Sequence, residues 1–200
     1  LIETNTFGAN RLKPTAHGLG DSVTAINQRA VKIAREAREA AGADVLIAGS
    51  LGPLGHAWQM TEPDAAAVAQ RTFQEQALAL EERGVDLFIL ETFPGLQELA
   101  WAIEAVQKVS PLPIIAQLAY NDEGKTLVGD DAVEATRRLK EMGVDVAGAN
   151  CSIGPQDSLV VLRHMAQAEK KRLSVQPNAG FPQRVGDRVI YPKSSPDYFA

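Results

Sequence analysis

Only one cysteine, Cys151, occurs in 200 residues, which excludes an internal disulfide and fits a reducing, cytoplasmic setting. No apolar stretch approaches the roughly 20 residues that span a bilayer, and the amino end shows no basic region leading into an apolar signal core. Positive charge is in short supply: 20 Lys and Arg against 25 Asp and Glu leave a net charge of −5. That balance attracts neither nucleic acid nor an anionic membrane, so small molecules are the expected partners. What is present is apolar content, 45% of the chain, enough for one sizeable core. No linker or composition shift divides residues 1–200, which read as a single domain.

The chain alternates two kinds of segment. Short apolar runs fall at Leu1–Phe7, Asp44–Gly49, Asp86–Glu91, Pro113–Tyr120, Asp145–Asn150 and Leu173–Asn178. They are rich in Val, Ile and Leu without strict alternation, as strands covered on both faces are, which predicts a parallel sheet. Between them lie helical segments. In Ser22–Ala41, Ile26, Ala30, Ile33, Ala37 and Ala41 fall on one face; Leu96, Leu99, Ala100, Ile103 and Val106 make a similar stripe further on. Helix starts are marked at Asp21 or Ser22, Glu62-Pro63-Asp64, Asp130-Asp131 and Gly154-Pro155.

Three units close alike. "AGADVLIAGS", "RGVDLFILET" and "MGVDVAGANC" set Gly42, Gly84 and Gly143 at helix ends, each followed by an Asp and a strand. This is a strand-helix repeat, six strands and at least five helices in all. Such units either wind into an open sheet or close into a barrel. The turn after the first strand, "FGANRLKPTAHGLGD", does not fit the Gly-x-Gly-x-x-Gly pattern of nucleotide-binding open sheets. Polar residues gather instead at the carboxyl ends of many strands: Glu3, Thr4 and Asn5; Ser50; Glu91 and Thr92; Tyr120 and Asn121; Asn150 and Cys151; Gln176 and Asn178. Chemistry spread over many strand ends is the habit of a (β/α)8 TIM-barrel type fold, here with six of the eight units.

Among these, Glu91 follows a mostly apolar run, where a carboxylate is costly unless paired or bound to a cation, so a functional role is expected. Glu3 has the same arrangement. Cys151 ends a strand ahead of a small, Gly-Pro loop: it is a small core residue, or a thiol facing a cavity as nucleophile or metal ligand. His17 and His56, in loops after strands, are the bases that could reach that cavity; His164 belongs to the outer helices. Asn150 and Asn178 suit either an amino-acid head group or a neighbouring strand end.

"IETNTFGAN" (2–10), "GSLGPLG" (49–55), "ILETF" (89–93), "GANCSIGP" (148–155) and "QPNAG" (176–180) together resemble the homocysteine-binding domain of the homocysteine S-methyltransferase family, in its bacterial branch related to cobalamin-dependent methionine synthase. The resemblance implies a zinc-dependent transfer of a methyl group to the homocysteine thiol, giving methionine. It implies zinc held by three cysteines, of which Cys151 matches the one after the sixth strand. The family's adjacent Cys-Cys pair is absent here and is expected beyond residue 200. By the same resemblance the six runs are the family's second to seventh strands, so the chain reads as an internal piece, incomplete at both ends. Such a piece alone is expected to be metal-free and inactive, with exposed sheet edges.

The resemblance further implies that Glu91 binds the substrate ammonium, that Asn150 orients the metal loop, and that Asn5 and Asn178 line the same cavity. The methyl donor would be methylcobalamin or methyltetrahydrofolate, with cobalamin- or folate-binding domains possible as fused neighbours. A metal-dependent TIM-barrel lyase or aldolase, using Glu3 and Glu91, and a non-catalytic amino-acid-binding fragment are the alternative readings of the same residues.

Overall fold

A computed structural model describes residues 1–15, 17–55, 61, 63–170, 172–180, 183–190 and 195–199. In chain order the elements are β1 (Ile2–Glu3), α1 (Leu12–Thr15), α2 (Val23–Ala41), β2 (Ile47–Leu51), α3 (Ala65–Arg83), β3 (Leu87–Phe93), α4 (Leu96–Val109) and β4 (Ile114–Leu118). Then follow α5 (Ala132–Glu141), β5 (Val146–Asn150), α6 (Pro155–Met165), β6 (Leu173–Gln176), β7 (Gln183–Val185), β8 (Arg188–Ile190) and α7 (Pro196–Phe199). Strands β1 to β6 pair in parallel and in sequence order, as consecutive strand-helix units require. The β7–β8 hairpin, which the strand runs did not foresee, is antiparallel and stands apart from the sheet.

The punctuation of the repeat has a physical basis. Gly42, Gly84 and Gly143 all take positive φ at helix ends, where a side chain would be strained. In two of the three units the Asp that follows works on the neighbouring strand: Asp86 accepts from Ile47 N at 2.7 Å, and Asp145 accepts from Ile114 N at 2.9 Å. Each thereby satisfies the first amide of the preceding strand. At the other marked start, Asp131 caps α5 by accepting from Val133 N and Glu134 N, and Pro155 opens α6.

Register sorts the strand residues into two faces. Ile47, Leu51, Phe88, Leu90, Ile114, Ala116, Leu118, Ala147 and Ala149 turn outward and form the main core with the helices. Phe73 of α3 and Phe93 of β3, both fully buried, meet there with ring centroids 5.9 Å apart. Inward, Ala48, Leu87 and Ile89 form a second, small apolar cluster with Ile115. Leu99, Ala100, Ile103 and Val106 of α4 are buried as their spacing predicts.

Two expectations need correction. The buried face of α2 is Val23, Asn27, Val31 and Ala34, not the Ile26-to-Ala41 stripe: Ile33 is 53% exposed. Those residues border an open groove of about 790 Å³ beside β1. The helix has two apolar sides, and periodicity alone does not say which one the sheet covers. Strand β1 is also shorter than the Leu1–Phe7 run: Thr4 N still donates to Ala48 O at 2.9 Å, but beyond it side chains replace the backbone ladder, Ser50 N donating to Thr4 Oγ1 at 3.1 Å and Thr6 Oγ1 to Ser50 O at 2.6 Å. No described helix is long and apolar enough to cross a membrane.

Candidate functional site

The inward row becomes polar towards the carboxyl ends of the strands. Above the Ala48–Leu87–Ile89–Ile115 cluster come Glu3, Ser50, Glu91, Gln117, Asn150, Ser174 and Gln176. Glu91 is half-buried at the centre of this group. Ser50 Oγ donates to its Oε1 at 2.6 Å, and Asn150 Nδ2 donates to its Oε2 at 3.2 Å. Asn150 also donates from Nδ2 to Thr92 Oγ1 at 2.7 Å and accepts from Thr92 N on Oδ1 at 2.7 Å. Its amide is thus spent on holding Glu91 and Thr92 in place. Burial, then repulsion from Glu3, pushes the Glu91 carboxyl above the usual range, against the hydrogen bonds from Ser50 and Asn150. An empty site therefore disfavours the anion that a bound cation would favour.

Backbone strain concentrates here. Thr92, Cys151 and Ser152 are the non-glycine residues with positive φ among those described, at 60°, 61° and 66°. Each costs on the order of 1–3 kcal/mol, and such residues persist where the surroundings over-determine them. Thr92 lies within β3, next to Glu91, and Cys151 and Ser152 directly follow β5. In Cys151 the left-handed turn carries the thiol out of the core: the residue is exposed, so the core-packing reading of it is set aside. Its loop is pinned by Cys151 N donating to Gln176 O at 3.0 Å and by Asn178 N donating to Ile153 O at 3.0 Å.

The structure brings Glu91, Asn150 and the Cys151 loop together, with Asn178 joined to that loop through its backbone. Asn5 is exposed; it lines a cavity of about 360 Å³ with Lys13 and His17 and, together with Glu3, the groove beside α2. His164 sits on α6 as expected, and His56 falls outside the described residues. A further cavity of about 660 Å³ opens beside Thr92 and Ser152, bounded by Tyr120, Asn121 and Lys125. Gln117 was missed by the sequence reading, though a Gln within the apolar "IIAQLAY" was its signal. It is 1% exposed, its Nε2 donates to Ser174 Oγ at 3.0 Å, and its Oε1 has no partner. Gly148 makes this bond possible, since a Cβ there would lie 2.2 Å from Ser174 Oγ and 2.8 Å from Gln117 Cγ.

A metal ion is not accommodated by these residues alone. Zinc takes four donors, and the chain offers one thiol; no group of three or more His, Cys, Asp or Glu side chains among the described residues is disposed to hold an ion.

The profile of the homocysteine S-methyltransferase family matches residues 1–200. The chain belongs to that family. Methionine synthase of Mycobacterium tuberculosis is 29% identical over 205 residues, which cover 96% of this chain and 17% of that protein. Methionine synthase of Mycobacterium leprae is 30% identical, covering 96% of this chain and 16% of that protein. The chain therefore spans about one sixth of the length of the curated relatives it matches. Its fold matches the metallated form of the homocysteine methyltransferase MmuM from Escherichia coli with a TM-score of 0.79 at 24% identity, over 89% of this chain and 66% of that one. The six parallel strands are thus a curled part-barrel of the TIM type.

Proposed function

We propose that residues 1–200 carry the homocysteine-recognition part of a methyltransferase that moves a methyl group to the homocysteine thiol and yields methionine. The observation that carries this reading is Glu91: a carboxylate half-buried at the mouth of the part-barrel, fixed by Ser50 and Asn150, in a chain matched over its whole length by the family profile. Its role is to receive the substrate ammonium by charge-assisted hydrogen bonds. That fixes the amino-acid end and leaves the thiol, at the far end of the homocysteine side chain, to reach towards the exposed Cys151 loop. Asn150 is the positioning residue, and the strained Thr92 backbone is held by it.

Family resemblance makes Cys151 one sulfur donor to a zinc ion, whose chemistry would be to stabilise the substrate thiol as thiolate. The remaining donors would come from outside this chain. The methyl donor, methylcobalamin or methyltetrahydrofolate, and any cobalamin- or folate-binding neighbours, are part of the same proposal.

The test is methionine formation from L-homocysteine by the protein as it occurs in its source, with Glu91→Gln beside the wild type. Loss of one charge-assisted hydrogen bond of about 1.5–3 kcal/mol predicts a roughly 10- to 100-fold fall in kcat/KM. The variant is expected to melt no lower at neutral pH. A raised carboxyl contributes its stability below the unfolded-state pKa and loses it as pH rises through the folded value, so at neutral pH little remains to lose. A wild-type protein that forms no methionine with either donor, or a variant with undiminished kcat/KM, would sink the reading.

A further inference from the structure

A buried polar chain joins the outer helices to the ends of the strands. Gln76 lies on the sheet-facing side of α3, in one row with Phe73, Ala77 and Leu80, and like them it is 0% exposed. Its Nε2 donates to Thr6 O at 2.8 Å, in the loop after β1, and reaches Asn27 Oδ1 of α2 at 3.3 Å and Ser50 O of β2 at 3.4 Å. Asn27, equally buried, spends its own Nδ2 on Ala9 O and Val23 O, each at 2.8 Å. One amide thus ties together α2, α3, the loop after β1 and the end of β2. Ser50 is where this chain meets the site. Gln76 and Thr6 hold its backbone oxygen and Thr4 its nitrogen, while its hydroxyl donates inward to Glu91.

Stability does not account for this arrangement. Gln76 Oε1 is buried among the described residues with no partner, a condition that costs free energy and that an apolar side chain of similar volume removes. Two of the acceptors Gln76 serves are covered by other donors: Thr6 O accepts from Ala9 N at 2.9 Å, and Ser50 O accepts from Thr6 Oγ1. Asn27 Oδ1 alone has no other donor among the described residues. Replacing the amide by a thioether therefore exchanges one orphaned oxygen for another and leaves the fold about as stable. What the exchange removes is the grip of α3 on the Ser50 backbone. A buried amide kept at such a cost calls for a reason outside packing.

We propose that Gln76 is a positioning residue for the methyl-transfer site, acting from outside the sheet: it sets the Ser50 backbone at the depth where the hydroxyl meets Glu91, as Asn150 fixes the same carboxyl from the other side. The inference rests on the proposed function and adds to it a residue of the outer layer that touches no substrate. Ser50 Oγ lies 2.6 Å from Glu91 Oε1, so a displacement of roughly 1 Å takes the pair beyond hydrogen-bonding reach. Misplacement on that scale by a residue far from the chemistry costs up to about 100-fold in rate.

The experiment is a double-mutant cycle on methionine formation from L-homocysteine, in the protein as it occurs in its source, with Gln76→Met, Ser50→Ala and the two combined. Ser50→Ala is expected to lower kcat/KM at least about tenfold, as the loss of a hydrogen bond to a charged group does, and Gln76→Met about tenfold, both chiefly through KM. The double variant should fall no further than Ser50→Ala, because the position of a hydroxyl has no effect once the hydroxyl is gone. The melting temperature of Gln76→Met should stay within about 4 °C of the wild type. A kcat/KM within about twofold of the wild type in either single variant overturns the proposal. So does a double variant whose losses multiply to about 100-fold, since Gln76 then acts independently of Ser50. A Gln76→Met protein that loses kcat alone and melts far below the wild type overturns it too, the amide then serving only the fold. In each of these cases a wild type that makes methionine leaves the methyltransferase reading standing; a wild type that makes none overturns both.

Discussion

The middle of the sheet and its two ends are built differently from similar material. Strands β2 to β4 are buried almost throughout, with α3 and α4 over their outer face and Phe73, Phe93, Leu99 and Ile103 fully excluded from water. At the ends, β1 has only two paired residues, β6 is only partly covered, and α2 keeps an apolar side in the open. The contrast teaches that local apolar pattern fixes which elements form, while coverage depends on what stands beside them.

Substitutions can sharpen this contrast. Phe73→Ala, in the middle, is expected to cost about 3–5 kcal/mol, measured as the shift in urea midpoint, because it removes a fully buried ring and leaves a cavity. Intermediate is Glu98 of α4, 4% exposed, whose Oε1 accepts from the buried Leu54 N at 2.6 Å and latches the loop after β2. Glu98→Leu leaves that amide unmet and should cost about 1–3 kcal/mol, whereas Glu98→Gln, which still offers a carbonyl oxygen, should cost less. Smallest is Ile33→Lys on the open side of α2, expected to stay within about 0.5 kcal/mol in the 200-residue chain. If Ile33→Lys proved as damaging as Phe73→Ala, the distinction between covered middle and open ends would collapse.

The same distinction explains what was legible in the sequence. All six strands could be read because a strand covered on both faces is mostly apolar, and the Gly-x-Asp repeat marked where three of them, β2, β3 and β5, begin. The α2 face was misjudged because Ile26 and Ile33 look as buried as Val23 and Val31 until a neighbour is specified. The β7–β8 hairpin carries its Val and Ile in short exposed runs that resemble a loop. In the site, Glu91 stood out as a carboxylate in apolar company, and Asn150 as a polar strand end. Their mutual contact spans 59 residues and Glu91's contact with Ser50 spans 41, and these follow from parallel register rather than from any local pattern. Gln117 was overlooked because one amide in "IIAQLAY" is unremarkable until its neighbours are known to be Gly148 and Ser174. The outward turn of Cys151 was equally hidden, since left-handed backbone at a non-glycine residue has no compositional mark.

The aspartate of the repeat has a consequence for the order of events during synthesis. Ile47 opens β2, yet the carboxylate that satisfies its amide belongs to Asp86, 39 residues later; Ile114 waits in the same way for Asp145, 31 residues on. A strand emerging from the ribosome therefore cannot complete its own first turn of bonding until the following unit has been made. At about 5–20 residues per second this is a delay of a few seconds per unit. At β2 and β4 the nascent chain thus holds a strand that stays provisional until the unit translated after it locks it.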